Sequence, residues 1–243
     1  MTSAGLTKVL KAALLAGIGA GLVVAAFHMV VTEPVIDQAI AVEGQMAGEH
    51  HDEAPIVSRE AQRGGLVLGF AVYGIAWGLL FTLVYQIVQR WLPPAGAPGK
   101  GWFLALALYW AVGLFPFLKY PANPPGVGDP ETIAYRQGLY LGFLVLSTLA
   151  TLFAIVMGRS WSGKTTPGRG NWLAGLGFFV VAMAVLYVGM PVTTDPVEQP
   201  ADLMLRFRIL SVTGLTLFWL LFGLGFARLV RPAAGAPMSA RTS

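Results

Sequence analysis

Apolar residues fall in six long blocks along the chain, at about 12–31, 65–88, 102–118, 133–157, 172–190 and 209–227, separated by short polar connections. A helix needs about 20 apolar residues to cross the roughly 30 Å hydrocarbon core of a bilayer, and most of these blocks meet that length. The short alternating runs that mark half-buried strands are missing, so the pattern predicts an all-α polytopic membrane protein of about six transmembrane helices. It forms one integral domain over 1–231, with a hydrophilic loop at 32–64 and a flexible tail at 232–243.

Details within the blocks refine this plan. Lys8 and Lys11 precede the first block, as in a signal peptide, and Ala39-Ile40-Ala41 offers a small-x-small cleavage pattern. A signal core is only about 7–15 residues long, which favours a retained helix here. Gly17, Gly19 and Gly21 in the first block, Gly65/Gly69 and Gly74/Gly78 in the second, and Gly138/Gly142 in the fourth have spacings that allow close helix approach. Tyr85, Arg90 and Trp91 end the second block as an interface belt. The third block is the shortest, and Pro116 predicts a kink or early exit near its end.

Composition agrees with the pattern. The 243 residues are 56% hydrophobic and 12% charged, against about 25% charged in soluble domains. Cysteine is absent, which excludes disulfides, thiolate metal sites and cysteine nucleophiles. The formal charge of +4 does not signal nucleic acid, because the basic residues sit at block ends and form no stripe. With six spans, one side of the membrane collects ten basic residues and no acid; the other collects all twelve acids and six basic residues. The positive-inside rule then places both termini in the cytoplasm and the acidic connections outside, in an inner (cytoplasmic) membrane.

Candidate chemistry lies on the acidic side. His28 is the only histidine in an apolar block, and Glu33 and Asp37 follow it. An intramembrane imidazole needs a partner or a polar cavity, so His28 is a functional candidate, the alternative being a histidine bonded to a neighbouring carbonyl. Glu49-His50-His51-Asp52-Glu53 supplies imidazoles and carboxylates suited to Co²⁺, Ni²⁺ or Zn²⁺, although adjacent histidines do not match a structural zinc spacing. The alternative for this cluster is a solvated acidic loop.

Between the third and fourth blocks, residues 117–131 form a proline-stiffened segment with four prolines in the ten residues from Pro121 to Pro130. Lys119, Asn123, Asp129, Glu131 and Arg136 frame it, and Arg206 and Arg208 open the sixth block. Ion pairs between these cations and nearby acids would clasp the helix ends or gate them; ordinary snorkelling is the alternative. No phosphate loop, dinucleotide pattern, His-Glu-x-x-His motif or nucleophile elbow occurs, so no enzyme is indicated and no permanently bound cofactor is expected.

The chain resembles the CbtA family of cobalt transporter membrane subunits. The resemblance rests on Phe27-His28-x-x-x-x-Glu33-Pro34 leading to Ile40-Ala41-x-Glu43, on Lys119-Tyr120-Pro121-Ala122-Asn123-Pro124-Pro125-Gly126 followed by Gly128-Asp129-Pro130-Glu131-Thr132 and Arg136, and on Arg206-Phe207-Arg208-x-Leu210-Ser211. It extends over residues 8–230. It implies cobalt uptake tied to cobalamin production, with Co²⁺ as substrate and Ni²⁺ as a second candidate. It also implies a small single-span CbtB-like partner within the lipid bilayer. For cobalt uptake the expected metal-capturing residues are His28, Glu33, Asp37, His50, His51 and Asp52; of these His28 and Glu33, near the entry, match the family pattern in place, whereas His50 and His51 are peculiar to this chain. The competing reading is a non-metal transporter, or a structural subunit whose charges serve assembly.

Overall fold

The computed structural model describes residues 3–47, 57–93, 95–125, 127–160, 172–193 and 199–231. They form helices α1 (Ser3–Phe27), α2 (Glu33–Ala47), α3 (Arg59–Val88), α4 (Gly96–Leu108), α5 (Phe115–Lys119), α6 (Ile133–Ser160), α7 (Trp172–Gly189) and α8 (Ala201–Leu229), with no strand among the described residues. Among the described residues six helical stretches are long and apolar enough to cross a membrane: Gly5–Gln45, Arg59–Val88, Gly96–Lys119, Pro130–Arg159, Trp172–Gly189 and Ala201–Leu229. The fold is therefore the expected all-α, six-span class.

The first span departs from expectation at its end. Its helix does not stop near residue 31 but passes through a π turn at His28–Thr32 into α2, whose Ala39 is fully buried. Forty-one residues at 1.5 Å each make a rod of about 60 Å, twice the hydrocarbon thickness, so α2 extends beyond the apolar layer.

The third span repeats the device. A π turn at Tyr109–Leu114 is followed by Pro116, just as the first π turn is followed by Pro34. A proline in a helix lacks an N–H and its ring crowds the carbonyl four residues back; widening the preceding turn relieves the crowding and lets the helix continue. Phe115 N–H bonds to the Trp110 carbonyl, so in this register Pro116 would leave the Ala111 carbonyl without its donor. The hydroxyl of fully buried Ser147, on α6, donates to that carbonyl. The span also begins earlier than predicted, at Gly96 (φ 63°), because Pro98 lies in the first helical turn, where no N–H is needed.

Close backbone contact organises the packing. α1 and α3 run antiparallel, with Ala13 against Gly78, Gly17 against Gly74 and Gly21 against the carbonyl of Phe70. A Cβ on Gly17 or Gly74 would strike the other's backbone. Gly19, Gly65, Gly69, Gly138 and Gly142 meet nothing within 4 Å, so the packing role expected of them is not realised. Gly19 lies about 200° around the helix from Gly17, and therefore faces away. A second close approach joins α6 to α7, where a Cβ on Gly175 would lie 2.7 Å from the Ala154 carbonyl oxygen and 2.8 Å from Gly158 Cα.

Two apolar clusters result. The larger packs α1, α3, α4 and α8 around Phe81, Tyr85, Phe218, Trp219, Phe222 and Phe226. The smaller centres on Phe115, Phe143 and Met183 of α5, α6 and α7. The third span joins them, with α4 in the first cluster and α5 in the second. At one end of the bundle Lys8 donates to the Arg231 carbonyl (3.0 Å) and Lys100 to the Gln89 carbonyl (2.9 Å). At the other, buried Gln199 bridges the carbonyls of Ala39 (3.3 Å) and Pro125 (3.5 Å). All described acids lie toward this second, acidic end.

Because Gly74 meets backbone, Gly74→Ala should destabilise the protein by about 1–3 kcal/mol, the usual cost of overpacking. Gly69→Ala, in open space, should leave stability unchanged or slightly raised. Thermal unfolding of the two purified proteins in detergent checks this difference.

Candidate functional site

The continuation of α1 into α2 carries two carboxylates, one helical turn apart, to the start of α3, where two arginines stand one turn apart. Ser58 caps α3 by accepting from the Ala61 N–H at 3.3 Å, which fixes the first turn that carries Arg59 and Arg63. Arg59 Nη2 donates to both Glu33 Oε2 and Asp37 Oδ1 at 2.7 Å. Arg63 Nε reaches Glu33 Oε2 at 3.2 Å and its Nη2 reaches Asp37 Oδ2 at 2.7 Å. Two acids and two arginines thus cancel in a closed square. Glu33 is the buried member, with 7% of its side chain exposed against 42% for Asp37.

His28 sits on the π turn below this clamp. Its Nδ1 is 2.8 Å from the hydroxyl of buried Thr32, and its ring stacks on Phe70, with centroids 5.2 Å apart and planes 17° from parallel. The Nε2 edge lies over Gly214 of α8, where a Cβ would collide with the imidazole. Of the six expected metal ligands, His28, Glu33 and Asp37 are therefore described, the acids holding arginines and the imidazole packed between helices. His50, His51 and Asp52 lie outside the described residues. Among the described residues no group of three or more His, Asp or Glu is arranged to hold a metal ion.

The proline segment closes the same end of the bundle. Lys119 donates to the Tyr187 carbonyl (2.7 Å) and Tyr120 to the Pro191 carbonyl (2.6 Å), tying α5 to the end of α7. Arg208 Nη2 donates to Asn123 Oδ1 (2.9 Å), linking α8 to the segment. Arg136 Nη2 reaches the Asp129 carbonyl (3.2 Å) and its guanidinium lies against Gly128 (φ 91°), where a side chain would meet both steric and backbone strain. The Asp129 carboxylate accepts from the Glu131 N–H (2.8 Å) to cap a short 3₁₀ turn; Glu131 and Arg206 are exposed. The contacts of Lys119, Asn123, Arg136 and Arg208 described here use carbonyls and an amide where the sequence suggested carboxylates. Arg136 uses carbonyls of the extended, proline-rich backbone, which have no helical donors, and Lys119 uses a carbonyl of the last turn of α7, where helical donors also run out.

Beneath the segment lies a cavity of about 940 Å³, bounded by the ends of α5, α6 and α8 and by Tyr73 of α3. Lys119, Arg136 and Arg208 line it with Asn123, Gln137 and Tyr140, and no carboxylate is among its described lining residues. Sequence reasoning missed the Arg59–Arg63 clamp and Gln199. The clamp had a signal: paired acids four apart on one side of a loop and paired arginines four apart on the other.

A family model described as "Probable cobalt transporter subunit (CbtA)" matches residues 6–231, nearly the whole chain, and the chain belongs to this family. No curated protein and no solved structure matches it.

Removing one member of the clamp strands the others. Glu33→Gln should lower stability, because the buried carboxylate that both arginines share becomes a neutral amide. Combining Glu33→Gln with Arg59→Gln should cost less than the sum of the single changes. A double-mutant cycle by chemical or thermal unfolding in detergent measures that coupling.

Proposed function

We propose that this member of the CbtA family is the membrane-spanning subunit of a cobalt uptake permease in the inner (cytoplasmic) membrane, with the acidic end outside. The observation that carries this reading is the family match across a chain with six membrane-length helices. The positive-inside rule supports the orientation, since the described residues at the opposite end of the bundle are basic without an acid.

In this reading the acidic connection after α2, with His50, His51 and Asp52, concentrates the divalent ion by its field, and the ion passes toward His28, Glu33 and Asp37. Imidazole and carboxylate are suitable donors for Co²⁺ and for Ni²⁺, so affinity order by itself does not select cobalt. Ligation by Glu33 and Asp37 requires Arg59 and Arg63 to release them, which makes the clamp the closed state of the entry. A small CbtB-like single-span protein is the proposed partner, in line with the family's description as a transporter subunit. One observation favours a second reading, in which these charges serve assembly alone: both carboxylates are already satisfied by arginines.

Radioactive cobalt uptake into cells lacking their own importers, with this chain expressed alone and beside a CbtB-like subunit, tests the proposal. Uptake should require the chain, and His28→Ala at matched membrane levels should lower it about tenfold or more, the scale on which disturbed ligation weakens metal sites. Correct insertion without uptake in any combination would overturn the cobalt reading. Normal uptake by His28→Ala would remove His28 from the route.

A further inference from the structure

The charges among the described lining residues of the cavity under the proline segment have the wrong sign for a bare divalent cation. Lys119 comes to it from the end of α5, Arg136 from the first turn of α6 and Arg208 from the second turn of α8, so three separate elements deliver positive charge to one space. No carboxylate is among its described lining residues. Arg208 spends Nη2 on Asn123, but its Nε is buried without a hydrogen-bond partner. A buried charged donor short of an acceptor is costly, and oxygen atoms of an anion would remove that cost. Neutral donors stand nearby on Gln137, Tyr140 and Thr193.

We propose that this cavity binds an organic anion through its carboxylate or phosphate oxygens. Its size argues for an organic body: about 940 Å³ lies at the upper end of the roughly 300–1,000 Å³ range of small-molecule sites, and an inorganic anion would leave most of it empty. The lining grades from the charged rim to Val112, Leu141 and Leu215. Seven residues of α8 from Arg208 to Leu215 give a depth of about 10 Å. An anionic head with a less polar body matches that gradient.

The anion site stands by itself; its use in transport rests on the cobalt reading. A polycarboxylate that chelates Co²⁺ carries the ion as a net-anionic complex, which three cations attract where they would repel the free ion. His28 covers Gly214, the neighbour of cavity-lining Leu215, so the candidate metal ligand and the anion cavity lie on adjoining positions of α8. One end of the bundle would then hold both halves of a metal chelate.

Calorimetry and thermal unfolding of the full chain in detergent test this with citrate, equimolar Co²⁺–citrate, cobalt chloride, inorganic phosphate and phosphatidylglycerol micelles. Citrate or its cobalt complex should bind and raise the melting temperature. Arg208→Gln and Lys119→Gln should each weaken binding about tenfold, with Arg208→Lys intermediate and Arg90→Gln, at the opposite end, unchanged. The unliganded melting temperature of each variant reports whether it folds. A response to phosphatidylglycerol alone, lost in the same variants, supports the anion site and assigns its source to a lipid headgroup. No response to any anion, or responses that ignore Arg208 and Lys119, overturns the proposal. Cobalt uptake without anion binding sinks this inference and spares the cobalt reading; anion binding without cobalt uptake does the reverse.

Discussion

The contact between α1 and α3 is the constraint on which the rest of the structure depends. In lipid there is little hydrophobic force between helices, so they associate through close packing, and here the pairs Ala13/Gly78, Gly17/Gly74 and Gly21/Phe70 bring two backbones together. The register set there propagates. Phe70, which Gly21 meets, also stacks on His28, and the same antiparallel pair carries Glu33 and Asp37 to Arg59 and Arg63. The π turn at His28–Thr32 adds a residue to the helical path, turning the following face by about 100°. A single helix thereby uses one face against α3 in the core and another in the clamp.

A second constraint is that hydrocarbon offers no water to satisfy a freed backbone group. Pro34 and Pro116, which lie inside continuous helical spans, each sit just after a π turn, and the carbonyl that Pro116 leaves open is taken by Ser147. This solution joins the third span to α6 and so connects the two apolar clusters. At the acidic end, Lys119 and Tyr120 donate to carbonyls at the end of α7, and Gln199 donates to the Pro125 carbonyl of the proline segment. The segment is thus strapped down partly by its own side chains reaching the end of α7 and partly by a side chain that reaches its backbone.

The acidic end consequently separates charge into two regions. One is neutralised within itself by the square of Glu33, Asp37, Arg59 and Arg63; the other gathers Lys119, Arg136 and Arg208 around an open volume without a carboxylate among the described lining residues. The cations of the second region also hold the segment down, Lys119 to the Tyr187 carbonyl and Arg208 to Asn123.

Much of this was legible in the residue order. The six spans and the division of charge between two ends follow from hydropathy and loop composition, because a bilayer imposes a fixed length and rejects uncompensated charge whatever the tertiary contacts are. The family was legible in His28, Glu33 and the proline segment, whose local chemistry is uncommon. Which glycines pack was not: Gly65/Gly69 and Gly138/Gly142 have the same spacing as Gly74/Gly78 but face open space. Spacing describes one helix, whereas packing needs a partner surface. The partners of the charges were equally hidden. Only the register of α1 on α3 brought the acids to Arg59 and Arg63, and only the meeting of α5, α6 and α8 placed three cations around one cavity, because distances between elements are set by packing and not by position along the chain.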